Sequence, residues 1–338
     1  MIKEAIQALV SGKSLTQEEA ASVMKEIMEG EVTPAQFGAF VTALRLKGET
    51  VEEIAGLASV MRAKAIRVAV DYPVIDVVGT GGDGLNTFNI STVTAFVVAG
   101  AGLKVAKHGN RGMSSQCGSA DVLEALGVKI DLNAEQVRRC LDEVGIGFMF
   151  APAFHPAMKY ASAPRREIGI RTVFNILGPL TNPADAKAYL LGVADESLVE
   201  KLALVLQSLG CRHALVVHGE DGLDEVTLTG RTRVCEIKGG RVRNYFIGPE
   251  DVGLSLIKSL AELEGSTAQE NAARARAILA GADGPQRDVV LINAAAALVA
   301  GDKVPSLNLG VSLAREVLDN GQAQAKLEQL VKLSQSFA

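Results

Sequence analysis

Tryptophan is absent from this chain of 338 residues, and aromatic residues of all kinds make up only 4% of it. Proteins that hold single-stranded nucleic acid stack bases on aromatic rings, so that class is poorly served here. Positive charge is in deficit as well: 34 Lys and Arg against 39 Asp and Glu leave a formal net charge of −5. Such a balance disfavours general DNA or RNA binding through phosphates, and no nucleic-acid partner is expected. Only four cysteines occur, Cys117, Cys140, Cys211 and Cys235, and none forms a C-x-x-C pair. Neither a zinc site nor a disulfide framework is signalled, and reduced thiols in a cytoplasmic protein are expected. Long hydrophobic runs are missing too. The longest, from Val93 to Leu103, is too short and too rich in Gly and Ala to span a bilayer. The opening Met-Ile-Lys-Glu-Ala-Ile-Gln lacks the apolar core of a signal peptide, so no membrane partner is expected either.

What is present is an ordinary globular composition, 48% hydrophobic and 22% charged, in a chain long enough for two domains. The first seventy residues read as helices only. Thr16 with Glu19, Thr33 with Gln36 and Thr50 with Glu53 each have capping-box spacing, and Pro34 suits a first helical position. Phe37, Phe40, Val41 and Leu44 repeat at helical spacing, as do Ile54, Leu57, Ala58 and Met61. Residues 1–70 are therefore expected to form a small helical domain, joined by part of 155–185. Its apolar faces exceed what one small bundle buries, which points to a homodimer through this region.

From Val74 the pattern changes. Strands are expected at 74–78, 103–106, 147–150, 188–193 and 214–217. Helices are expected at 92–100, 119–126, 134–144, 197–209, 268–279, 289–299 and 311–318. This alternation predicts an α/β domain over 71–338 with a mainly parallel sheet flanked by helices. A hairpin across Lys238-Gly-Gly-Arg241 predicts an antiparallel addition at one edge.

Ligands of such sheets bind beyond the carboxyl ends of strands, and three polar segments meet that condition. The first runs from Gly79-Thr-Gly-Gly-Asp83 to Thr87, Asn89, Ser91 and Thr92. The second is Lys107-His-Gly-Asn-Arg111 through Ser114, Ser115 and Ser119. The third ends in Asp224-Glu225. Glycines admit backbone N–H groups close to phosphate oxygens, hydroxyls and amides add neutral donors, and Lys107 and Arg111 add charge. Two such loops suit a ligand with two separate phosphate groups.

Gly79, Gly81 and Gly84 formally match G-x-G-x-x-G, but no helix follows directly and no acid occurs between Asp83 and Asp121, so a dinucleotide site is not supported. Gly12-Lys-Ser14 lacks the earlier glycine of a phosphate-binding P-loop. A helix opening near Thr92 would offer N–H groups to an anion, with Asn89, Ser91 and Thr92 placed to cap it. Ser91 reads as a simple N-cap or as a hard oxygen ligand for Mg²⁺. Asp224-Glu225 reads as a surface acidic pair by default, and as a Mg²⁺ site given the strand and glycine turn before it.

Val77-Val-Gly-Thr-Gly-Gly-Asp83, Asn89-Ile-Ser-Thr92, Lys107-His-Gly-Asn-Arg111, the run Gly118–Gly127, the run Thr172–Pro183 and Gly222-Leu-Asp-Glu225 together resemble the anthranilate phosphoribosyltransferase family across essentially the whole chain. The resemblance implies transfer of phosphoribose from 5-phosphoribosyl 1-diphosphate to the amine of anthranilate, in tryptophan biosynthesis, by a homodimer using Mg²⁺. It implies a donor site of Gly79, Gly82, Asp83, Thr87, Asn89, Ile90, Ser91, Thr92, Lys107, His108, Gly109, Asn110, Arg111, Ser114, Ser115 and Ser119. It implies an acceptor site of Gly79, His108, Asn110 and Arg165, metal ligation by Ser91, Asp224 and Glu225, and catalytic roles for Lys107, Asp224 and Glu225. Pyrimidine nucleoside phosphorylases share the same plan but carry a different lysine motif, and nucleic-acid-binding relatives also exist. One departure is Ala163-Pro164 before Arg165, where the family commonly has Pro-Val; proline restricts its neighbour, so a shifted path into Arg165 is expected.

Overall fold

The computed structural model describes residues 1–112 and 116–337. Ser114 and Ser115 lie outside the described residues.

Four helices open the chain: α1 (Ile2–Val10), α2 (Gln17–Glu29), α3 (Pro34–Lys47) and α4 (Val51–Lys64). All three capping boxes form. In the first, Glu19 N–H donates to Thr16 Oγ1 at 3.2 Å and Thr16 N–H to Glu19 Oε2 at 2.8 Å, an arrangement of about 1 kcal/mol per cap. Phe37, Phe40, Val41 and Leu44 are buried, as are Ile54, Leu57 and Ala58. Helices α2 and α4 approach so closely that a Cβ on Gly56 would lie 2.3 Å from Gln17 O. A later helix, Lys159–Ile168, packs on α2 and α3. Arg62 ties α4 to the rest of the molecule by donating to Leu180 O at 2.6 Å and Leu209 O at 3.1 Å.

Seven strands form one sheet: β1 (Ile75–Gly79), β2 (Val105–Gly109), β3 (Ile146–Phe150), β4 (Ala188–Gly192), β5 (His213–Gly219), β6 (Thr232–Lys238) and β7 (Arg241–Ile247), in the order β3-β2-β1-β4-β5-β6-β7. The first five are parallel, and β6 and β7 add antiparallel at the edge, as expected. Every residue of β4 and β5 is buried, which is how a parallel sheet covered on both faces reads.

Register places the functional loops side by side. Gly79 at the end of β1 pairs with Gly192 of β4, which pairs with Val217 of β5. The chain runs outward from β1 to β2 and β3, then returns to the other side of β1 as β4. The crevice between β1 and β4 is thus a switch point, where open α/β sheets bind ligands. Helix α5 (Ile90–Gly100) lies beneath this crevice, buried along nearly its whole length, and packs against the equally buried helix Pro285–Ala300.

Pro164 sits buried inside the helix Lys159–Ile168, which runs through it without a break. Arg165 is therefore carried on regular helix. The proline removes one backbone donor and leaves the path intact.

Candidate active site

The turn after β1 has backbone only glycine accepts readily: φ is +64° at Gly81, +77° at Gly82 and +76° at Gly84. Gly81 N–H donates to Asp224 Oδ2 at 2.7 Å. The guanidinium of Arg171 donates to Gly81 O at 2.9 Å and Gly82 O at 2.8 Å. Among the described residues, the N–H groups of Gly82, Asp83 and Gly84 have no protein acceptor. Consecutive left-handed residues with open amides make an anion-binding concavity.

The acidic loop reaches this turn because two glycines give way. A Cβ on Gly79 would lie 2.4 Å from Asp224 Oδ2, and one on Gly192 only 1.6 Å from Asp224 O. Asp221 braces the loop by accepting from Thr227 and Thr229 hydroxyls and from Leu223 N–H. Asn293, buried in the apolar stretch 289–300 of its helix, accepts from Val226 N–H at 2.9 Å and donates to Val226 O at 2.9 Å. Glu225 itself is buried, so the pair is no ordinary surface dipeptide. Burial first, then the neighbouring carboxylates, raises Asp224 well above the usual range. Burial pushes Glu225 up to about 8, partly offset by Lys107. Carboxylates this crowded favour a cation or a proton between them.

Helix α5 differs from expectation at its start. Neither Asn89 nor Ser91 caps it with a side chain: Asn89 is the N-cap residue without a cap bond, and Ser91 is already in the first turn. Asn89 instead donates to Cys117 O at 3.0 Å and accepts from Asn271. Ile90 N–H goes to Phe88 O and Thr92 N–H to Asn89 O. The Glu225 carboxylate lies near enough to the start of the helix for the Ser91 amide to favour its charged form.

Lys107, on β2, is buried and points across the crevice. Its ammonium donates to Val77 O at 2.6 Å and to Ser91 Oγ at 3.2 Å. Desolvation lowers its pKa, opposed by Asp76 and Glu225. Asp76 is buried, raised to about 6 by desolvation, and bound by Asn182 at 2.7 Å and His108 N–H at 3.3 Å. His108 Nδ1 lies 3.2 Å from Gly178 O, its Nε2 has no partner among the described residues, and burial lowers its pKa to about 3. His155 stacks tilted at 5.1 Å from it and is lowered to about 4 by burial.

Further along, Arg111 pairs with Asp121 at 2.9 Å and Glu124 at 2.8 Å. Asp121 also accepts from Gly112 and Gly118 N–H, both at 2.9 Å. The Asn110 carbonyl accepts from Ser119 Oγ at 3.3 Å. On the far wall, Arg165 lies over the Phe174 ring at 5.5 Å, and among the described residues no carboxylate pairs with it. Burial lowers its pKa.

One cavity of about 580 Å³ collects all of this. Every site residue expected from the sequence that lies among the described residues lines it, including Arg165 and the acidic pair, and Met61 of α4 contributes from the helical side. The sequence reading missed Arg171, Asn293 and Asp221. A basic residue just after a Gly-capped helix, and a lone amide inside Val289–Ala300, are the signals that could have found the first two.

The arrangement has close counterparts. The α/β domain of the glycosyl transferase family matches residues 71–324, and the helical bundle domain of that family matches residues 3–65. The anthranilate phosphoribosyltransferase of Dehalococcoides mccartyi is 62% identical over 340 aligned positions, covering 100% of this chain and 99% of that one. The chain belongs to the anthranilate phosphoribosyltransferase family. The crystal structure of the Thermus thermophilus member superposes with a TM-score of 0.93 at 46% identity, covering 98% of this chain and 99% of that chain. The Saccharomyces cerevisiae anthranilate phosphoribosyltransferase in complex with PRPP and Mg superposes with a TM-score of 0.91 at 28% identity, covering 99% and 98%. The same yeast protein in complex with 4-fluoroanthranilate gives 0.89 at 27% identity, again covering 99% and 98%. Within the anthranilate phosphoribosyltransferase family, then, the crevice between β1 and β4 is the place to look for chemistry.

Proposed function

We propose that this chain transfers phosphoribose from 5-phosphoribosyl 1-diphosphate to the amine of anthranilate, releasing diphosphate, in tryptophan biosynthesis. The observation that carries the reading is a single cavity with opposite equipment on its two walls. One wall has open amides at Gly82–Gly84, Lys107 and the acidic pair; the other has Arg165, a half-buried cation with no carboxylate partner among the described residues. The first suits a diphosphate and the second a small aromatic acid.

In this reading the amides of the glycine turn receive the diphosphate, and Lys107 adds positive charge as the C1–O bond breaks. Charge grows on the leaving group and on an oxocarbenium-like ribose carbon, so fixed donors aimed at the leaving group lower the barrier most. The anthranilate amine is uncharged at pH 7 and needs placement more than deprotonation. Arg165 takes its carboxylate and aims the amine at C1. His108 orients: with Nδ1–H donated to Gly178 O, its Nε2 is left as an acceptor, and a base of pKa about 3 removes protons poorly at neutral pH. Asn110 and Gly79 complete the acceptor site.

The residues present fit a magnesium ion. Among the described residues no three His, Cys, Asp or Glu side chains gather tightly enough to chelate a metal alone. Mg²⁺ is commonly held by one or two carboxylates, with waters and substrate phosphates filling the rest. Asp224, Glu225 and Ser91 would supply that partial set. When bound, the ion neutralises charge developing on the diphosphate.

The test is direct. Protein incubated with Mg²⁺, the phosphoribosyl diphosphate and anthranilate should consume anthranilate fluorescence; no loss under these conditions would overturn the assignment. The full-length identity to anthranilate phosphoribosyltransferases favours this reading over a pyrimidine nucleoside phosphorylase, which would need inorganic phosphate and a nucleoside, and over a silent nucleic-acid-binding relative.

We also propose a cytoplasmic homodimer in which residues 1–70 act as one unit with part of 155–185. No helix among the described residues is long and apolar enough to cross a membrane. Val10 and Leu46 stand 70% and 83% exposed on the helical part, apolar side chains that a second copy would cover. Light scattering should give twice the chain mass, and a monomer mass at micromolar concentration would refute the pairing.

A further inference from the structure

Arg171 has no part in the reading above, yet it grips the donor turn more firmly than any other side chain. Its two terminal nitrogens donate to Gly81 O at 2.9 Å and Gly82 O at 2.8 Å. A Cβ on Gly82 would lie 1.3 Å from Arg171 Nη1, so glycine is required there for the guanidinium to approach at all. Its side chain also lines the cavity.

The geometry of the peptide unit gives this grip a consequence. In a trans peptide the C=O of one residue and the N–H of the next point in opposite directions, and no peptide in the described chain is cis. Holding Gly81 O and Gly82 O on one side therefore turns Gly82 N–H and Asp83 N–H to the other. Those are two of the three open amides that make the anion-binding concavity.

We infer that Arg171 is a positioning residue for the donor: its planar fork locks both carbonyls of the Gly81–Gly82 turn, and so presents the opposing amides to the diphosphate. The inference rests on the reading of this turn as the diphosphate cradle. The guanidinium fork matters more than its charge, because a lysine ammonium is a single point donor and cannot hold two carbonyls in one plane. Arg171 also follows the helix that carries Arg165, past the Gly169 C-cap at φ +67°, so the donor turn is held by the same segment that bears the acceptor's cation.

The experiment titrates 5-phosphoribosyl 1-diphosphate, with Mg²⁺, into the full-length protein by calorimetry, for wild type, Arg171→Ala and Arg171→Lys. Both variants should bind about tenfold more weakly or worse. Turnover at saturating donor should fall less than binding, and the anthranilate KM should move by no more than about twofold. Arg171→Lys keeps the cation, so the ionic-strength dependence of its donor binding should match wild type while its affinity falls. Wild-type affinity in Arg171→Lys would show that charge alone suffices and overturn the inference. So would unchanged binding in both variants. Failure of the wild type to bind the donor would instead remove the reading of the turn itself.

Discussion

Gly81 N–H and Asp224 Oδ2 stand 2.7 Å apart, which joins the turn after β1 to the loop after β5 as one unit. The acidic pair therefore does two things: it shapes the glycine turn, and it sets carboxyl oxygens near Lys107 and the start of α5. Asp224→Asn with Glu225→Gln keeps the volume and an oxygen that can accept from Gly81 N–H, but removes the hard anionic donors. The expected loss in kcat is on the order of a hundredfold or more. Turnover measured against Mg²⁺ concentration checks it. Near-normal rates at limiting Mg²⁺ would remove the pair from the chemistry.

Among the described residues Arg165 has no carboxylate partner, which the proposed acceptor would supply. The arginine stacks on Phe174, which in turn packs on Phe37 of α3 at 5.2 Å, so the helical part of the chain sets its position. Arg165→Ala should raise the anthranilate KM by about tenfold to a hundredfold, the scale of a lost charge-assisted pair, while the donor KM changes far less. Equal rises in both would mark Arg165 as structural or as a phosphate contact.

The sequence made the strands, capped helices and three convergent loops legible because each has a local signature. Thr50 with Glu53 needs only its own turn, and the short apolar runs around Leu190 or Val216 need only a covered sheet. The helix Lys159–Ile168 was hidden by Pro164, whose missing donor argues against helix until packing on α2 and α3 outweighs it. The helix Gln322–Ser336 is mostly polar, with few buried side chains, and gave a weak period. Contacts such as Arg171 on Gly82, or Asn293 on Val226, link positions 89 and 67 residues apart. No spacing rule reaches that far, so the motif residues could be named while their supports could not. The same limit hid the start of α5, where only the fold shows that Asn89 turns its side chain to Cys117 and Asn271 instead of capping the helix.

Lys107 lies near two buried carboxyl groups, Asp76 and Glu225. At pH 7.5 Glu225, raised to about 8, is largely protonated, while Asp76, raised to about 6, is largely ionised; Lys107→Met would leave Asp76 without compensation in a dry setting. Breaking a buried ion pair by removing one partner typically costs about 3–5 kcal/mol. Chemical denaturation at pH 7.5 should show a loss of that order alongside lost activity. A stability within about 1 kcal/mol of wild type would mean Asp76 is protonated or solvated at that pH, and would weaken the electrostatic account of the crevice.

His155 offers a pH test that does not depend on catalysis. Burial holds its folded pKa at about 4, below the unfolded value of about 6.5. A depressed pKa means the neutral side chain costs nothing above pH 6.5, and its contribution is lost progressively as pH falls towards 4. Between pH 7.5 and 5 that loss is about 2 kcal/mol. Asp76, raised to about 6, works in the opposite sense, since its protonation on acidification favours the folded state. The slope of the wild type alone therefore decides little. The difference between wild type and His155→Gln isolates the histidine: the variant, less stable at pH 7.5, should recover about 2 kcal/mol relative to wild type by pH 5. A gap that stays constant across this range in denaturant titrations would show that His155 is free to protonate in the folded protein, and that the acceptor wall is wetter than its burial implies.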